Sequence, residues 1–276
     1  MTRSRDLKDI SQSIVLVGAG QMGAALLQGW VSRGIDPSKL VVLDPQPAED
    51  VKPLSERGVR FNPANRPTES GAIVIAVKPQ VAESVVPPLA PMTGGSTVVV
   101  SIMAGRTLAF LERALPGIAM VRAMPNTPAA IGRGITVAVG NARVSGAQRD
   151  LADGLLGATG AVEWISNEEL MDAVTAVSGS GPAYVFLLAE SLTRAGIAAG
   201  LPPDLAAKLA RETIAGSGEL LHRSPLDPAA LRQNVTSPGG TTAAALEVLM
   251  AAADGLDPLL AKAIAVAAKR SRELAG

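Results

Sequence analysis

Four uninterrupted apolar runs constrain this chain more than any other feature. Ile14-Val15-Leu16-Val17, Leu40-Val41-Val42-Leu43, Ile73-Val74-Ile75-Ala76-Val77 and Thr97-Val98-Val99-Val100 lack the polar alternation of a strand with one wet face. Such runs must be covered on both sides, which is the condition of strands in a parallel sheet flanked by helices. The intervening stretches suit crossover helices, expected near 21–33, 80–89, 107–114 and 145–156. Met120–Arg122, Ile135–Val139 and Val162–Ile165 read as later strands. The alternation predicts an α/β, doubly wound sheet. After Ser166 the period changes. Leu170, Met171, Val174 and Val177 recur at helical spacing, and helices are expected over 168–177, 182–198, 203–221, 228–234, 241–253 and 257–274. The 276 residues therefore divide into a sheet domain, 1–165, and an all-helical domain, 166–276. Ala183–Ala189 is apolar on every face. A helix of that kind must be buried, and a second subunit is the expected cover.

The first strand runs straight into Gly18-Ala19-Gly20-Gln21-Met22-Gly23, which opens the first helix. In a G-x-G-x-x-G turn the first glycine permits the tight bend, the second lets a pyrophosphate approach the backbone, and the third packs helix on strand. The helix N-terminus then offers its free N–H groups to the phosphates. Asp44, at the end of the second strand, has the position of the acid that accepts the adenosine ribose hydroxyls, although it also starts an Asp-Pro turn. Ala76-Val77-Lys78-Pro79 and Ile102-Met103-Ala104-Gly105 follow the third and fourth runs, at the sheet edge where such folds bind ligands. Arg122–Pro128 leaves a strand at that edge too, and fits either a pocket wall or a plain turn.

The helical half carries two small-residue clusters, Ser178-Gly179-Ser180-Gly181-Pro182 and Asn234-Val235-Thr236-Ser237-Pro238-Gly239-Gly240-Thr241-Thr242, each just before a helix. Stacked N–H groups with hydroxyls make an anion site suited to a carboxylate. N-capping alone asks for one Ser or Thr, not a Gly-Gly pair among several hydroxyls.

Composition removes other chemistries. No cysteine means no disulfide, thiolate metal site or thiol nucleophile. One histidine, His222, removes His-rich metal sites and argues against a Ser-His-Asp triad, and its place at a helix end suits a cap or a surface residue. Equal totals of 25 basic and 25 acidic residues argue against a nucleic-acid partner, whose phosphates call for excess positive charge. The polar Met1–Ser13 and the lack of a long uncharged apolar run argue against a leader or a membrane span, and the expected location is the cytoplasm.

Taken in order, Gly18–Gly23, Ala76–Pro79, Met103–Gly105, Arg122–Pro128, Ser178–Pro182 and Ser237–Thr242 resemble the pyrroline-5-carboxylate reductase family from about residue 13 to 274. The Asn-Val-x-Ser-Pro-Gly-Gly-x-Thr stretch is the most specific piece. The resemblance implies a Rossmann-type domain followed by a helical dimerisation domain, dimers that assemble into decamers, and reduction of a cyclic imine to L-proline, the last step of proline biosynthesis. It implies NADPH or NADH held by Gly18, Ala19, Gly20, Gln21, Met22, Gly23, Asn65, Ala76, Val77, Lys78, Pro79, Ile102, Met103, Ala104 and Asn234. Substrate contacts implied are Glu168, Thr241 and Thr242, with the carboxylate received around Gly239 and Gly240; Ser237 belongs to the same anion cluster. Thr242 is the implied catalytic position, best suited to orienting the ring nitrogen because a Thr hydroxyl is a poor acid. Many family members have a small hydroxyl residue where this chain has Asp44. A carboxylate there repels a 2′-phosphate, so NADH is expected to serve at least comparably to NADPH. β-Hydroxyacid dehydrogenases share the layout but carry a catalytic Lys and Asn after the Gly-rich turn, and Pro182–Leu192 has neither.

Overall fold

A computed structural model describes residues 7–275. Two compact units emerge, one formed by the chain through Gly179 together with the segment from Ala268 onward, the other by Ser180–Ala267.

The first unit is built on an eight-stranded sheet. β1 (Ile14–Val17), β2 (Leu40–Leu43), β3 (Arg60–Phe61), β4 (Ala72–Ile75), β5 (Val98–Ser101), β6 (Ala119–Met124), β7 (Gly134–Gly140) and β8 (Gly160–Trp164) lie in the order β3-β2-β1-β4-β5-β6-β7-β8. All pairings are parallel except β6–β7. The apolar runs are explained by what covers them. Leu16, Val42, Val74 and Val100 face one core with Leu26, Leu27, Trp30, Leu151 and Leu155, whereas Val15, Val41, Ile73 and Val99 face another with Leu89, Met92 and Leu111. Helices α1 (Gln21–Ser32) and α4 (Gly146–Leu156) supply the first cover, and α3 (Leu108–Ala114) contributes to the second. Trp30 is fully buried and its Nε1 donates to the Leu155 carbonyl at 2.8 Å, joining α1 to the last turn of α4.

Several expected elements are shorter or broken. The helix expected at 80–89 is only α2 (Ala82–Val85), set between 3-10 turns at Pro79–Val81 and Pro87–Met92. Pro87 and Pro88 have no N–H to continue an α-helical ladder. Thr97 does not open β5; its hydroxyl donates to the Ser70 carbonyl at 2.6 Å and accepts from Gly94 N at 2.8 Å, closing the turn before it. Residues 168–179 form a 3-10 turn (Glu168–Leu170), α5 (Met171–Val174) and a π-helical turn (Thr175–Gly179), all within the first unit.

The second unit holds α6 (Gly181–Ala198), α7 (Pro203–Arg223), α8 (Pro228–Asn234), α9 (Thr241–Leu249) and most of α10 (Leu256–Ala275). α6 and α7 pack as a hairpin that turns at Gly200, φ +100°. No residue of α6 is buried, and Phe186 is 63% and Leu187 55% exposed. One chain therefore leaves open the helix that its sequence marks for burial. The end of α10 belongs to the first unit, where Ser271 Oγ donates to Asp172 Oδ1 at 2.6 Å and the Leu274 backbone lies against Gly105. Among the described residues no helix is long and apolar enough to cross a membrane.

Candidate active site

Strand order reverses between β1 and β4, and ligands of such sheets bind outside the strand ends at that point. The three glycines of the first turn have different reasons to be there. At Gly18, φ is +93° and a Cβ would come within 2.8 Å of the Ala76 backbone. At Gly23 a Cβ would meet the Gly18 carbonyl oxygen. Gly20 has ordinary extended geometry, φ −72° and ψ −166°, and nothing within 4 Å of a Cβ position. Among the described residues nothing requires a glycine at Gly20; the open cradle fits a pyrophosphate that needs the space. Gly20 is also the N-cap of α1 and provides no side-chain cap, so the helix start is left open to an anion.

A cleft of about 370 Å³ runs along this edge. Gly20, Gln21, Met22, Ala76, Val77, Lys78, Pro79, Ile102, Met103 and Ala104 line it, so three separate expected segments share one wall system. Gly18, Ala19 and Gly23 lie in the turn beneath it. The cleft also takes in Met124, Pro125, Asn126, Thr127 and Gly179. The Met124–Thr127 turn is therefore pocket wall, which its place after a strand made possible but did not decide. Asn126 Oδ1 accepts from Ile135 N at 3.0 Å and pins that wall to the start of β7. Arg106, which the sequence reading missed, donates to the Pro79 carbonyl from Nε at 3.1 Å and from Nη2 at 2.8 Å while stacking on Phe110. It braces the turn that carries Lys78.

Asp44 takes the turn role open to it in the sequence and adds a tie to the glycine turn. Oδ1 accepts from Gln46 N at 2.7 Å, the bond of an Asx turn, and Oδ2 accepts from Ala19 N at 2.6 Å, tying the carboxylate to the glycine turn. Asn62, in left-handed geometry with φ 45°, accepts from Asp44 N at 3.0 Å and donates to Asp44 O at 2.6 Å. Asn65 stands three residues on in the loop leaving β3; it is exposed and does not line the cleft.

Glu168 is also off the cleft lining. Its Oε1 accepts from Leu108 N at 2.9 Å and from Arg122 Nη1 at 2.8 Å. In the second unit, Ser237–Gly240 forms a tight turn with Gly240 N on the Ser237 carbonyl at 3.0 Å and Gly239 at φ +69°. Gly240 is the N-cap of α9 and brings no side-chain cap to it. Thr236 is already bonded to Arg232 O at 2.6 Å, whereas Ser237, Thr241 and Thr242 make no hydroxyl bond among the described residues. Asn234 ends α8 and is exposed.

Residues 168–274 match the family described as pyrroline-5-carboxylate reductase dimerisation, and residues 13–105 match NADP oxidoreductase, coenzyme F420-dependent. That match begins at residue 168, while the compact units part at Gly179. A pyrroline-5-carboxylate reductase from Pseudomonas aeruginosa is 39% identical over 95% of this chain and 96% of its own. The structure of a pyrroline-5-carboxylate reductase from Coxiella burnetii superposes with a TM-score of 0.88 at 32% identity, covering 97% of this chain and 100% of that one. The Plasmodium falciparum pyrroline carboxylate reductase with NADP bound superposes at 0.78 with 30% identity, covering 96% and 99%. A Rossmann-type sheet with an open phosphate cradle, a helical half that matches the dimerisation family, and such identity across nearly the whole length together place this chain in the pyrroline-5-carboxylate reductase family.

Proposed function

We propose that this protein reduces 1-pyrroline-5-carboxylate to L-proline with NADPH or NADH, the last step of proline biosynthesis. The observation that carries the reading is the Gly20 cradle above an uncapped helix start, opening onto a cleft lined by Ala76–Pro79 and Ile102–Ala104. These residues, with Gly18–Gly23, Asp44, Asn65 and Asn234, would hold the cofactor. When bound, the reduced nicotinamide supplies a hydride to the C=N carbon. The chain's own share is modest because a protonated imine is already electrophilic; positioning and exclusion of water are what remain. The uncapped start of α9 and the hydroxyls of Ser237, Thr241 and Thr242 suit the substrate carboxylate, received by the N–H groups around Gly239 and Gly240. Thr242 orients the ring nitrogen, and Glu168 offers it a negative charge.

The Asp44 carboxylate, fixed by two backbone N–H groups, supports use of NADH at least comparably to NADPH. Homodimers, their assembly into decamers, a division of labour near residue 166 and a cytoplasmic location belong to the same proposal and rest on the family likeness. The test is oxidation of NADH and of NADPH by purified protein with and without pyrroline-5-carboxylate. Substrate-dependent oxidation with proline formed is the expected result; folded protein that binds either nucleotide and turns over neither would overturn the reading.

A further inference from the structure

Arg122 is a charge that the proposed reaction does not use. It lies in β6 with 7% of its side chain exposed, in register with Ser101, the residue before cleft-lining Ile102, and two residues ahead of Met124 on the same wall. Burial of a guanidinium is costly unless it is paired and hydrogen-bonded. Its partner is Glu168 Oε1 at 2.8 Å, and the same oxygen accepts from Leu108 N at 2.9 Å. Two donors on one oxygen fix the rotation of the carboxylate about its axis. Among the described residues nothing bonds the other oxygen, Oε2, and the Glu168 side chain keeps 27% of its surface exposed. A purely structural ion pair would gain from using both oxygens on the arginine fork. This one leaves one carboxylate oxygen unused.

We propose that Arg122 is a positioning residue for substrate binding: it locks Glu168 through Oε1 so that Oε2 is held ready for the cationic ring nitrogen of the imine and of the product. A carboxylate repels the substrate's own carboxylate, so the nitrogen is the group it accepts from. The inference rests on the reductase reading given above and adds a residue to it.

The test compares wild type with Arg122→Met, Arg122→Lys, Glu168→Gln and the double variant Arg122→Met/Glu168→Gln, reading KM for the imine, KM for the nucleotide, L-proline binding by calorimetry, and Tm. Loss of a hydrogen bond to a charged group predicts that R122M and E168Q each raise the imine KM and weaken proline binding about 10- to 100-fold. Nucleotide KM stays within about twofold, the mark of an effect confined to one ligand. R122K regains part of the loss because it keeps a cation against Oε1. The double variant leaves no unpaired buried charge, so its Tm recovers while its imine KM stays at that of E168Q; R122K, its imine KM still raised in part, carries the test if R122M fails to fold. Unchanged imine KM in R122M, or in R122K where R122M does not fold, overturns the role of Arg122 while the reductase reading stands, as does a double variant whose imine KM rises well beyond that of E168Q. Wild-type protein without activity on pyrroline-5-carboxylate overturns both.

Discussion

At the scale of single residues, the glycine turn separates what the fold needs from what a ligand needs. Gly20→Ala meets nothing within 4 Å at an extended φ of −72°. Such a change stabilises by about 0.4–1 kcal/mol through the unfolded chain. We expect an unchanged or slightly raised Tm together with nucleotide affinity about tenfold weaker or worse, measured by fluorescence titration, because the methyl occupies the phosphate's approach. Gly23→Ala behaves oppositely: its Cβ would collide with the Gly18 carbonyl, and denaturant unfolding should show a loss of roughly 1–3 kcal/mol. Asp44→Ser should raise the NADPH-to-NADH ratio of kcat/KM roughly tenfold by removing the charge that a 2′-phosphate faces; an unchanged ratio would remove Asp44 as the determinant. The place of Asp44 at the end of the second strand was legible in the sequence. Its clamp by Asn62 was not, since Asn62 and Asn65 look alike in sequence and only the left-handed backbone brings Asn62 onto Asp44.

At the scale of elements, legibility followed burial. β1 and β2 were readable to the residue because both faces of each are covered and every position is apolar. β3 was invisible because two residues at the edge, Arg60 and Phe61, carry no pattern. The 80–89 helix was misread by following periodicity past prolines that end it. The cleft's three main segments were legible because parallel strands deliver their following loops to one edge, while the brace by Arg106 and the pairing of Arg122 with Glu168 were not, because the partners lie 27 and 46 residues away. Docking between elements gives its own prediction. Leu155 is in the last turn of α4, where carbonyls lack helical partners, and Trp30 Nε1 satisfies it. Trp30→Phe keeps a ring but leaves that carbonyl unpaired and buried, so unfolding should cost about 1–3 kcal/mol less, with α1 amides exchanging faster.

At the scale of the whole molecule, the apolar surface of α6 predicts assembly. Phe186→Asp puts a charge into Ala183–Ala189, the stretch of α6 that is apolar on every face, at a residue 63% exposed in one chain. The dissociation constant of the dimer, measured by sedimentation, should rise about 100-fold or more, the scale of losing a buried aromatic anchor. Order of synthesis meets a constraint of its own. The unit made first includes the segment from Ala268, joined through Ser271 to Asp172 and by Leu274 against Gly105 beside cleft-lining Ala104. A ribosome working at about 5–20 residues per second needs on the order of 5–20 s to pass from residue 180 to residue 274. Through that interval the nucleotide fold waits without its closing piece. Nascent chains stalled with residues up to 267 outside the exit tunnel should be cleaved by protease within 102–106, and chains extruded past residue 274 should resist. Translation would then set a delay between the appearance of a Rossmann sheet and its readiness for nucleotide, and a stop codon within α10 would do its damage around residues 102–106 of the sheet unit.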